Sequence, residues 1–185
     1  MLLEALAELQ DVATRTRQLQ ADVDRAAALM VETLEAGGKI LACGNGGSAA
    51  EAQHFVTELV GRYKSNRRPL GAIWLGGDTG QMTCIANDFS ADEVFSRPLQ
   101  ALGCDRDLLL ALSSSGQSSN IARCLTEAKR LGMRSVALLG KGGGICAPLA
   151  TVPIVVPSMS TARVQEMHLL IVHALCDAIE ARFPE

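Results

Sequence analysis

Only three histidines occur in the 185 residues, and one of them, His54, stands four residues before Glu58. On a helix that spacing puts both side chains on one face. Such a pair can hold a metal, exchange protons with a substrate, or do both; taken alone it also reads as a surface ion pair. It is not the H-E-x-x-H of metalloproteases. The other two histidines lie far down the chain in Arg163-Val164-Gln165-Glu166-Met167-His168-Leu169-Leu170-Ile171-Val172-His173. His173 sits in an apolar stretch and is expected to be buried, where an imidazole needs a partner. His168, five residues earlier on another helix face, reads as structural.

Two loops could receive an anion. Gly44-Asn45-Gly46-Gly47-Ser48 follows the apolar run Ile40-Leu41-Ala42-Cys43 and leads into the helix of His54 and Glu58. Glycines let the backbone turn sharply and approach a ligand, and a helix start offers free N–H groups. Ser48 is expected to cap that helix. Ser113-Ser114-Ser115-Gly116-Gln117-Ser118 likewise joins an apolar strand, 107–112, to a helix from about Ser119. Hydroxyls and helix amides make a phosphate cradle that needs no charged residue. No G-K-[ST] follows, so nucleotide hydrolysis is disfavoured, and the glycine spacing is not that of a dinucleotide site.

Positioning these groups requires strands that alternate with helices. Short apolar runs at 39–43, 71–75, 107–112, 135–139 and 152–156 read as five strands, and Pro153 marks the last as an edge. Helices are expected at 79–86, at 92–102 with Pro98 bending or interrupting it, at 119–131 and at 161–183. Strands apolar on both faces predict an α/β fold, a three-layer αβα sandwich with a parallel sheet whose ligands bind at the carboxyl ends of strands. Residues 3–36 form one long amphipathic helical pattern, with Leu6, Leu9, Val12, Leu19, Val23, Ala27, Met30 and Leu34 on the apolar stripe, ended by Gly37-Gly38. It precedes the first strand, so packing against another subunit is the expectation, and folding back on its own domain the alternative. The whole chain, 1–185, reads as a single domain with 1–37 as this helix.

Composition narrows the class. A net charge of −3 with scattered basic residues and 3% aromatics gives nucleic acid neither a basic footprint nor a stacking platform. No apolar run approaches the roughly 18 residues of a membrane span, and the acidic residues near Met1 do not fit a signal peptide. Six widely spaced cysteines without a C-x-x-C pair read as reduced thiols, which fits a cytoplasmic protein.

Taken together, Gly44-Asn45-Gly46-Gly47-Ser48-Ala49-Ala50, Gln53-His54-Phe55, Glu58-Leu59-Val60-Gly61-Arg62-Tyr63, Asn87-Asp88, the serine loop 113–118, and Thr161-Ala162-Arg163-Val164-Gln165-Glu166 with His173 resemble the phosphoheptose isomerases of the sugar-isomerase (SIS) domain superfamily. The resemblance implies an aldose–ketose isomerase acting on D-sedoheptulose 7-phosphate through an enediol. It implies Glu58 and His173 as proton-transfer residues, and a zinc ion held by His54, Glu58, Gln165 and His173. It places substrate at Asn45, Gly46, Gly47, Ser48, Glu58, Arg62, Asn87, Asp88, Ser113, Ser114, Ser115, Ser118 and Gln165. It also implies a homotetramer with active sites at subunit interfaces.

Ser90-Ala91, Lys141-Gly142-Gly143-Gly144 and Ala162 depart from the family pattern without removing a proposed ligand. Gln165 and His173, eight residues apart, are about 12 Å apart along a helix and about 80° around it. Both can reach one metal only if it lies between them, or if the groups come from more than one chain. The competing readings are a non-catalytic SIS-domain regulator that binds a replication initiator protein, and an isomerase of another sugar phosphate.

Overall fold

The computed structural model describes residues 1–184. Five strands, β1 (Ile40–Gly44), β2 (Ala72–Trp74), β3 (Leu108–Ser113), β4 (Arg134–Leu139) and β5 (Val152–Val155), form one parallel sheet in the order β2-β1-β3-β4-β5. Every residue of β1 and β3 is buried, because alternate side chains enter two different cores. Ile40, Ala42, Leu108, Leu110 and Leu112 point to one side; Leu41, Cys43, Leu109 and Ala111 point to the other.

The first side is covered by α1 (Leu2–Thr16), α2 (Gln20–Glu35), α3 (Gly47–Val60) and α7 (Thr161–Glu180). The second is covered by α4 (Thr79–Asp88), α5 (Ser96–Leu102) and α6 (Ser119–Arg130). The three-layer sandwich and its five strands are those expected. Pro153 lies on the edge strand β5, where its missing N–H removes no ladder bond on the solvent side.

The long N-terminal helical stretch expected at 3–36 runs from Leu2 to Glu35, with a 3₁₀ turn at Arg17–Leu19 between α1 and α2. One local expectation is corrected. Pro98 neither bends nor interrupts a helix. It lies in the first turn of α5, where its N–H would have no intrahelical acceptor, and the break falls earlier, after the 3₁₀ turn Ala91–Glu93. Within this chain α2 packs on its own domain, with Ala26, Met30 and Leu34 buried in the core. α1 is held to α7 by Arg163, whose Nη1 donates to the Ala5 carbonyl at 2.6 Å, while Leu2 and Leu3 remain 72% and 81% exposed.

Four of the six cysteines are buried and all are free. Burial pushes the thiol of Cys146 up to about 11 and that of Cys176 up to about 12, so both stay protonated and unreactive. Among the described residues no helix is long and apolar enough to cross a membrane.

The central strand pair is tied at its N-terminal end by Asp107. Its carboxylate accepts from the Lys39 amide (3.0 Å), the Lys39 ammonium (2.6 Å) and the Cys104 amide (2.9 Å). Burial works against the charge of Asp107, but these donors outweigh it and hold the carboxyl below the usual range. A depressed folded-state pKa means that the stabilisation is present above the unfolded value, about 4, and is lost as pH falls through the folded value. Asp107→Asn is expected to lower stability at pH 7 by about 1–3 kcal/mol. In urea titrations its gap from the parent should close as pH drops below about 4.

Candidate active site

The sheet order reverses between β1 and β3, and their carboxyl ends lie side by side, with Gly44 opposite Leu112. That reversal opens a crevice of the kind in which α/β sheets bind ligands. The two candidate loops leave from this point, one into α3 on one face of the sheet and the other into α6 on the other.

At the glycine turn, Gly46 has φ 54° and ψ −120° and serves as the N-cap of α3. Only glycine adopts this conformation readily. Ser48 does not cap the helix as expected. No side-chain cap bond forms; Ser48 lies inside the first turn, 3% exposed, and its side chain lines the crevice. Gly47 is tight for another reason: a Cβ there would strike the Gln165 side-chain amide. This contact seats Gln165 of α7 on the glycine turn.

The serine loop closes on itself through its hydroxyls. Ser113 Oγ lies 3.1 Å from Ser118 Oγ and 3.4 Å from Ser115 Oγ, and the Gly116 amide donates to Ser113 Oγ at 3.1 Å. Gly116 and Gly144 both have positive φ and touch backbone to backbone, so the loop 141–146 braces the serine loop from outside. Asn45, Ser48, Ser113, Ser114, Ser115 and Ser118 line a small cleft of about 60 Å³ with Leu112.

Asn120 was missed by sequence reasoning. Its amide pairs reciprocally with that of Asn45, two bonds of 2.9 Å, and clasps the two turns together. Its only sequence signal is a polar residue one position into a helix, which is common at helix starts.

One step along α3, His54 Nε2 lies 3.0 Å from Glu58 Oε1 and 3.1 Å from His173 Nε2 of α7. His173 of the last helix therefore reaches the His54–Glu58 pair within one chain, through His54. His173 is half-buried rather than buried, because one face of its ring is covered by Tyr63, with ring centroids 5.7 Å apart, and the other side opens to His54. His168 is fully buried and its Nε2 lies 3.1 Å from the Leu139 carbonyl, as a structural histidine would.

A single nitrogen, His54 Nε2, thus faces both a carboxylate and a second imidazole. It can carry one hydrogen or one lone pair, so hydrogen bonding serves one neighbour well and the other poorly. Two imidazoles and a carboxylate are donors that suit a zinc ion, and a cation would be met favourably by all three. The donors stand as packed neighbours, however. Among the described residues no group of three or more His, Cys, Asp and Glu side chains is already spaced to hold a metal. Gln165 makes no hydrogen bond to this cluster among the described residues; it sits at the glycine turn.

Three expected substrate positions are not gathered here. Arg62 is exposed just beyond α3. Asn87 and Asp88 are exposed at the end of α4, bonded to each other at 2.7 Å and outside the cleft lining.

The comparisons with known proteins agree with this geometry. The SIS domain profile matches residues 5–140. The phosphoheptose isomerase of Helicobacter pylori (strain P12) is 47% identical over 180 residues, 97% of this chain and 94% of that protein. That of Campylobacter jejuni subsp. jejuni serotype O:6 is 47% identical over 95% of both chains. The solved structure of the phosphoheptose isomerase from Neisseria gonorrhoeae superposes with a TM-score of 0.92 at 40% identity, covering 97% of both chains. The structure of the enzyme from Francisella tularensis gives 0.94 at 36% identity, over 97% of this chain and 96% of that one. Fold, crevice and sequence identity over almost the entire length converge on one assignment: the chain is an SIS-domain protein and belongs to the phosphoheptose isomerase family.

Proposed function

We propose that this protein interconverts D-sedoheptulose 7-phosphate and D-glycero-D-manno-heptose 7-phosphate, an aldose–ketose isomerisation through an enediol. The observation that carries the reading is the meeting of Glu58 and His173 within 3.1 Å of one His54 nitrogen, on the helix whose first turn lines the serine-walled cleft. A non-catalytic regulator would have no need of an acid–base cluster in that place.

The phosphate is held by the hydroxyls of Ser113, Ser114, Ser115 and Ser118 and by the free amides at the starts of α3 and α6. Asn45, Gly46, Gly47, Ser48 and Gln165 line the path from that anchor toward the cluster. Glu58 takes a proton from C1 of the ketose while His173 gives one to the C2 carbonyl oxygen, which yields the enediol. His173 then recovers the proton of the C1 hydroxyl as Glu58 delivers its own to C2. No electron leaves the substrate: C1 is oxidised as C2 is reduced. His54 fixes the aim of Glu58 through Oε1, so the second oxygen faces substrate. A zinc ion bound by His54, Glu58, Gln165 and His173 would polarise the carbonyl oxygen.

We further propose a homotetramer in the cytoplasm. Support comes from the apolar side chains Leu2, Leu3 and Leu6 of α1 and Leu170 of α7, which stay 44–81% exposed in the single chain. Arg62, Asn87 and Asp88 would then reach substrate across a subunit interface.

Turnover of sedoheptulose 7-phosphate tests the assignment: Glu58→Gln is expected to lower kcat by roughly 10²–10⁴-fold. Equal activity in parent and variant would sink it. Metal analysis of the same preparations is expected to find zinc in the parent and little in His54→Asn. Light scattering should give the mass of four 19.5 kDa chains, and a Leu2, Leu3 and Leu6 triple replacement by Glu should lower it.

A further inference from the structure

Glu58 lies in the last turn of α3, the part of a helix most prone to fray. The usual glycine stop is missing: Gly61, the C-cap, has φ −81° and ψ −109°, outside the left-handed region in which a C-terminal glycine normally gathers the last carbonyls. Those carbonyls are met by a side chain from the following loop. The Arg67 side chain is only 2% exposed. Its Nη2 donates to the Glu58 carbonyl at 2.6 Å, and its Nη1 donates to the carbonyls of Leu59 (2.8 Å), Arg68 (3.0 Å) and Gly61 (3.3 Å). A cation here also suits the negative end of the helix dipole. Its charge is matched across α7 by Glu180, whose Oε1 is 3.9 Å from Nε and whose carboxylate accepts from the Lys64 amide at 3.0 Å.

We infer that Arg67 is a positioning residue for the reaction, setting the direction of the Glu58 carboxylate by gripping its own backbone. His54, one turn earlier, is held by ordinary intrahelical bonds and does not need the grip. The planar guanidinium suits this task because one rigid fork spans several carbonyls, which an ammonium does not. The inference rests on the isomerase reading of Glu58, but it has a readout independent of turnover.

Arg67→Ala and Arg67→Lys test it, assayed well below their melting temperatures with folding checked by circular dichroism. In Arg67→Ala, hydrogen exchange at the Gly61 and Leu70 amides, which are bonded to Thr57 and Leu59, should quicken while the first turns of α3 keep their protection. Its kcat should fall by about 10- to 100-fold, the scale of a small misplacement of a reacting group, with KM nearly unchanged. Added guanidinium ion should restore part of kcat, and Arg67→Lys should fall between parent and Ala. Faster exchange with kcat within twofold of the parent would reduce Arg67 to a stability cap and overturn the inference. So would a rise in KM at constant kcat, or unchanged exchange. If the parent itself fails to turn over sedoheptulose 7-phosphate, the isomerase reading fails, and the exchange data still decide whether Arg67 holds the last turn.

Discussion

Parallel pairing of β1 with β3 is the constraint on which the rest of the structure depends. Adjacent parallel strands must end on the same side of the sheet, so both turns that leave them meet at one crevice. The helices that follow depart to opposite faces, α3 to one core and α6 to the other. Their amino ends therefore converge from two sides on the same small volume. Asp107 and Lys39 tie the opposite ends of these two strands, and the Asn45–Asn120 clasp ties the loops. A shift of one strand past the other would break both ties, which is why the register and the cleft stand or fall together.

The proton-active cluster depends on a second packing relation. α3 and α7 lie on the same face of the sheet and run in the same sense, so positions along one meet positions along the other in order. Gln165 rests on Gly47, His168 lies 3.8 Å from Glu51, and His173 meets His54. This row of polar side chains crosses an interface otherwise filled by Phe55, Leu59, Val164, Val172 and Leu175. Polar groups in such a place are unfavourable unless paired. Glu51 and His168 each keep one buried polar atom without a hydrogen-bond partner. Apolar packing around the row offsets that penalty.

Much of this was legible before any fold was known. Continuous apolar runs marked five strands, and the central ones, β1 and β3, are buried throughout because a sheet covered on both faces leaves no polar alternation. Pro153 marked the edge, and the glycine and serine turns marked the strand ends that carry chemistry. Errors fell where local sequence offers equivalent choices. Ser48 looks like a cap, yet the left-handed Gly46 takes the N-cap position and turns the serine into the crevice. Pro98 looks like a helix break, yet proline fits the first turn of a helix as readily as it ends one.

By itself the sequence determined which groups were available and which strand ends would present them, since periodicity and turn chemistry act over a few residues. It also carried the family, through motifs spread along nearly the whole chain. Only the tertiary structure decided that His54 and His173, 119 residues apart, share one point in space within a single chain, and that Arg62, Asn87 and Asp88 stand exposed on it. The reason is physical: helix spacing sets which face a residue occupies, but the distance between two helices is set by the volumes packed between them and the sheet, and no local pattern contains that sum.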